Sequence, residues 1–114
     1  MIPQGLAGND LVQQAAKAKN NHWHLHMLDN GVPAEKFTYN YAPDGIHANH
    51  PQYNRRVAEK LEQLKKQLIS DFEADDIEDV PADVVSAALQ GFQNQLRTLI
   101  KNNPTTKIND LIIP

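Results

Sequence analysis

Cysteine is absent from the 114 residues, which excludes both a disulfide framework and a thiolate metal site. Any metal would have to be held by His, Asp, Glu or Asn. Long apolar runs are missing too: none approaches a membrane span, and nothing resembling a signal peptide heads the chain, so the sequence predicts a soluble protein without an export address. There is no glycine-rich phosphate loop, nucleophile elbow, internal repeat or low-complexity segment. The length suits a single domain, 1–114, with one core.

Balanced charge is also lacking. The formal charge of −3 conceals six of the fourteen acidic residues crowded into Asp71, Glu73, Asp75, Asp76, Glu78 and Asp79, a stretch with no Lys or Arg. The remainder has eight acidic against eleven basic residues. A modest basic surface including Arg55, Arg56, Lys60, Lys65 and Lys66 could therefore face a polyanion, although charges along a helix are most often just its solvated face.

What the chain does contain is histidine in two patterns. In Asp44-Gly45-Ile46-His47-Ala48-Asn49-His50-Pro51-Gln52-Tyr53-Asn54-Arg55, two histidines three apart precede a proline suited to the first position of a helix. His50 then stands at or beside the N-cap, and His47 lies in the loop feeding it. Neutral imidazole is the commonest metal ligand, so the pair reads as half of a metal site or, more plainly, as solvated histidines flanking a cap. The second pattern, His22-Trp23-His24-Leu25-His26-Met27, alternates strictly, as a half-buried strand would. Same-face neighbours on a strand stand about 6.6 Å apart, which makes the trio awkward around one ion held at bonds of about 2 Å. His50 is the better candidate, with the trio a surface for adventitious Zn²⁺ or Ni²⁺.

Along the chain, Asn9-Asp10 can cap a short helix striped by Leu11, Val12, Ala15 and Ala16, which is too thin to stand alone. Asp29-Asn30-Gly31 signals a turn, and Phe37, Tyr39 and Tyr41 alternate as a second strand, giving a hairpin. From Pro51 a helix of about twenty residues is predicted to bury Val57, Leu61, Leu64, Leu68 and Phe72. The acidic connector ends it. Pro81 opens another, with Val84, Ala88, Phe92, Leu96 and Leu99 on one face, widened by Val85, Leu89 and Ile100. Asn102-Asn103-Pro104 stops that helix, and Ile108, Leu111, Ile112 and Ile113 suggest an extended arm.

Three blocks carry a family resemblance: Leu11-Val12-Gln13-Gln14-Ala15-Ala16-Lys17, then Asn30-Gly31-Val32, then His47-Ala48-Asn49-His50-Pro51-Gln52-Tyr53-Asn54-Arg55-Arg56-Val57 with Leu61. In this order they resemble the AHH branch of the HNH/endonuclease VII superfamily, metal-dependent nuclease domains at the C-termini of bacterial polymorphic toxins. The last block is the specific one, and the likeness covers about half the chain, from roughly Asn9 to Leu64. It implies a predominantly helical α+β fold in which a ββα-metal (His-Me finger) core, over 1–75, is wrapped by helices, with a C-terminal helix and tail over 76–114.

The resemblance further implies a divalent cofactor (Mg²⁺, Mn²⁺, Ni²⁺ or Zn²⁺), with His50 and His47 on the metal side. His47 and Asn30 would serve catalysis, Asn30 by propping the loop, and Arg55, Arg56 and Lys60 would hold nucleic acid, DNA by preference. Implied partners are that nucleic acid and a cognate immunity protein, with no membrane, and the implied setting is the cytoplasm of a target bacterium after delivery within a larger toxin. The chain departs from the family in two places. The family's His-His dyad comes just before a segment like Ile2-Pro3, so a chain starting at Met1 is expected to lack its general base and one ligand, leaving the first strand incomplete and the activity lost. The interval from Asn30 to His47 is also longer than usual. The alternative reading is a non-catalytic binding module that holds an immunity protein, a second protomer or nucleic acid through the same surface.

Overall fold

The computed structural model describes Ile2, Leu6, residues 8–18 and residues 51–114. Its elements are α1 (Asp10–Ala16), α2 (Pro51–Asp71) and α3 (Ala82–Asn102), with single 3-10 turns at Ile77–Asp79 and Ile108–Asp110. The predominantly helical character is as the sequence indicates, and among the described residues there is no strand. Both expected strands and the hairpin turn, the two-stranded part of the predicted ββα-metal core, lie outside the described residues.

Helix α1 starts where local chemistry says it should, with Asn9 Oδ1 accepting from the Leu11 amide at 2.9 Å. Seven residues do not hold a helix in water by themselves, so its stability comes from packing. Leu11, Val12 and Ala15 are fully buried, and α1 lies along α3. Gln14 adds a polar clip, donating through Nε2 to the Val80 carbonyl at 2.9 Å.

Helix α2 buries Tyr53, Val57, Leu61 and Leu68, spaced by whole turns along one face. Leu64 is half-buried, and Phe72, expected to end the stripe, is instead 46% exposed. The reason is the helix end: Ala74 N bonds to Ile69 O at 2.9 Å, Glu73 N bonds to Ser70 O at 3.1 Å, and Glu73 sits at φ 49. These paired bonds form a Schellman motif, which reverses the chain at Phe72 and turns that ring outward.

The acidic connector is pinned rather than detached. Asp76 accepts from Glu78 N at 2.8 Å to start the 3-10 turn, and Ile77 and Val80 drop into the core on either side of it. Helix α3 follows Pro81 as expected, but its buried face is centred on Val85, Leu89, Leu96 and Ile100, with Ser86 and Gln93. Val84, Ala88, Phe92 and Leu99 form its half-buried rim. The sequence pattern offered two adjacent apolar strips, and the buried face takes Val85, Leu89 and Ile100 from the one read as widening and Leu96 from the other. The tail is likewise not a simple arm: Ile108 and Leu111 are buried around a 3-10 turn, while Ile112 is 76% exposed. Ile2 joins Tyr53, Val57, Leu89 and Ile108 in the same core.

Two substitutions test these local arguments. Glu73 occupies a left-handed position normally reserved for glycine and adds negative charge beside a helix C-terminus, so Glu73→Gly should stabilise by about 0.5–1 kcal/mol in urea unfolding. Gly91 lies on the exposed side of α3, where an added Cβ meets nothing within 4 Å. Gly91→Ala should raise stability by about 0.5–1 kcal/mol through helix propensity alone, and a loss would show that the helix packs more tightly there.

Candidate functional site

The site predicted from sequence centres on the start of α2, and the first turn there is tightly constrained. Pro51 has no amide hydrogen to satisfy. The next two amides, Gln52 N and Tyr53 N, both donate to Asn109 Oδ1, at 2.7 and 3.4 Å. Among the described residues, the side chain that caps these amides comes from the C-terminal turn. Arg56 closes the contact by donating through Nη1 to the carbonyls of Asn109, at 3.1 Å, and Leu111, at 2.6 Å.

That contact alters the expected phosphate-binding trio. Arg56 is half-buried and engaged with backbone carbonyls, so its structural work competes with phosphate binding. Arg55 is exposed and donates to Gln52 Oε1 one turn back, leaving its charge in solvent. Lys60 is half-buried at the rim of a shallow groove between α2 and α3, near Gln63, Leu64, Gln67, Phe92 and Pro114. Five residues separate Arg55 from Lys60, about 140° around the helix, so the two flank rather than share a face.

The basic surface is thinned again at Lys65, whose ammonium meets Asp10 Oδ2 at 2.6 Å and so ties α2 to the first turn of α1. This hydrogen bond is the main cause holding the Lys65 pKa above its ordinary value. With both partners substantially exposed, the pair contributes no more than about 1 kcal/mol.

Asn30, His47 and His50 lie outside the described residues, as do His22, His24 and His26. Among the described residues no group of three or more His, Cys, Asp or Glu could hold a metal, and the first turn of α2 carries no acidic residue. By residue type alone, the imidazoles of His47 and His50 are donors that suit Ni²⁺ or Zn²⁺ better than Mg²⁺.

Two residues at the site escaped the sequence reading. Tyr53 stands four before Val57 and extends the stripe to the mouth of the helix, a spacing that was available to find it. Asn109 has no local signal, because its partners lie 57 and 56 residues away.

Burial raises the Tyr53 hydroxyl pKa far above its ordinary 10.0. The unfolded chain can release this proton near that value while the folded chain retains it, so stability is unaffected below about pH 10 and falls above it. Tyr53→Phe should remove up to about 1.4 kcal/mol per pH unit from that alkaline slope, read as the difference between urea-unfolding curves of the two proteins at pH 9 and pH 11. Parallel slopes would contradict the buried, protonated phenol.

Compared with known proteins, the chain finds no significant match among family models, curated proteins or solved structures.

Proposed function

We propose that the chain is a metal-dependent endonuclease domain of the AHH type, a bacterial toxin domain whose target is nucleic acid, DNA by preference. The observation that carries this reading is the block His47–Val57 meeting a helix that begins at Pro51. Val57 and Leu61 are fully buried behind that start, and Arg55 is exposed beside it. Ile2 supports it as well: the family's dyad falls just before this position, and Ile2 is fully buried in the same core as Tyr53 and Val57. Residues added there would be tethered to the body that carries the histidine loop.

In this reading His50 and His47 hold the ion, and Asn30 braces the loop. A bound divalent ion supplies an activated water and neutralises charge on the phosphodiester. Arg55 and Lys60 hold backbone phosphates without reading sequence, whereas the imidazole that would take a proton from water belongs to the family's His-His pair, which these 114 residues do not contain. A cognate immunity protein and delivery into a target cell's cytoplasm belong to the same proposal. The 114 residues contain no two adjacent histidines, which favours a second reading, a binding module on the same scaffold.

Plasmid nicking with Mg²⁺, Mn²⁺ or Ni²⁺ separates the two. The chain alone should be inert or nearly so, because a missing general base forfeits roughly two to four orders of magnitude. Extended by Ala-His-His before Ile2, it should nick DNA in a manner abolished by His50→Ala. An inactive extended protein would defeat the nuclease reading, and robust cleavage by the unextended chain would defeat the role given to the dyad. For DNA affinity, Arg55→Ala and Lys60→Ala should each lower the salt slope by about one, whereas Arg56→Ala should mainly lower stability. A salt slope unchanged in both surface variants would remove nucleic acid from the account.

A further inference from the structure

The shallow groove between α2 and α3, lined by the half-buried Leu64, Ala88 and Phe92, adjoins a cavity of about 480 Å³ lined by Leu99 and Ile113. The two share Gly91, Gln95 and Pro114, so together they make one trough along the outer side of α3. Among the described residues, Lys60 is the one charged side chain in its lining. Apolar groups without charge are what the centre of a protein interface contains.

Charge gathers instead at the two ends of α3, with Asp83 in its first turn and Lys101 in its last. Both are exposed, and among the described residues neither meets an opposite charge. Their separation along the helix is about five whole turns, so both side chains leave the same flank, roughly 80° around from Gly91. Two helices packed antiparallel about a two-fold axis bring like flanks together in reverse order. Asp83 of each copy then faces Lys101 of the other, whereas a parallel copy forms neither pair. Gly91 lies beside the midpoint between these two residues, and an added Cβ there meets nothing within 4 Å, which leaves room for a second backbone to approach closely.

We propose that a second copy of this chain docks in the trough, α3 against α3 and antiparallel, to form a two-fold dimer whose ends are matched by two Asp83–Lys101 pairs. The surface is distinct from the start of α2, and the proposal does not depend on the nuclease reading.

Sedimentation velocity of the full chain, from low micromolar to near-millimolar concentration, tests it. Wild type should show a monomer–dimer equilibrium. Thr98→Arg changes an exposed residue of the trough and should leave the chain monomeric throughout, with its helical circular dichroism unaltered. Asp83→Lys should raise the dissociation constant about tenfold, because symmetry repeats the lost attraction and the new repulsion twice. Adding Lys101→Asp to that variant exchanges the charges and should restore wild-type affinity. If Asp83→Lys does not fold, Lys101→Glu carries the same measurement. Wild type that stays monomeric would overturn the proposal and leave the trough to another occupant, such as nucleic acid or a small apolar molecule. A dimer that survives Thr98→Arg would place the contact elsewhere, and would overturn it too. So would an unchanged dissociation constant in Asp83→Lys, or in Lys101→Glu where that variant is used, and so would exchanged charges that fail to restore affinity.

Discussion

Burial of one face of α2 is the constraint around which the described residues are arranged. Tyr53, Val57, Leu61 and Leu68 line a helix about 30 Å long, and each fully buried side chain contributes about 1.5–3 kcal/mol relative to exposure. No single neighbour covers a stripe of that length. The Ile77–Asp79 turn and the Ile108–Asp110 turn both pack against α2, and the shared core adds Ile2, residues of α1 and residues of α3. The short pieces have little stability of their own, so the long helix and its covers are mutually dependent.

Polar groups reinforce that dependence between elements distant in sequence. Gln14 ties α1 to Val80, Lys65 ties α2 to Asp10, and Asn109 with Arg56 ties the tail to the start of α2. These bonds redistribute charge that the sequence alone assigns to one basic surface. Arg56 and Lys65 serve the fold, which leaves Arg55, Lys60 and Lys66 as the members of that surface without a tie to another element among the described residues. Buried Gln14 and Gln93 each keep an Oε1 without a partner among the described residues, a cost the surrounding packing must offset.

The features legible in the sequence are those governed by neighbouring residues. Asn9 capping α1, Pro51 opening α2, Pro81 preceding α3 and the helix stop near Asn103 all follow from local rules, and they hold. Features set by distant contacts were not legible. Helix α3 buries the face of Val85, Leu89, Leu96 and Ile100, and the acidic connector is anchored by Ile77 and Val80, while Phe72 turns outward for a local reason without a sequence signal, since Glu73 and not glycine takes the left-handed position. The candidate site divides in the same way. The helix start at Pro51 was readable, whereas the contact from Asn109 to its first amides was not, since no pattern in one segment identifies an acceptor supplied by another.

In the proposed function the metal chemistry belongs to His47 and His50 and not to the alternating trio His22, His24 and His26. Calorimetric titration with Ni²⁺ tests it most directly, comparing wild type, His50→Ala, and a variant with His22, His24 and His26 all changed to Ala. Binding that is lost in His50→Ala and kept in the triple variant is the predicted result. Binding that survives His50→Ala and vanishes in the triple variant would contradict the claim.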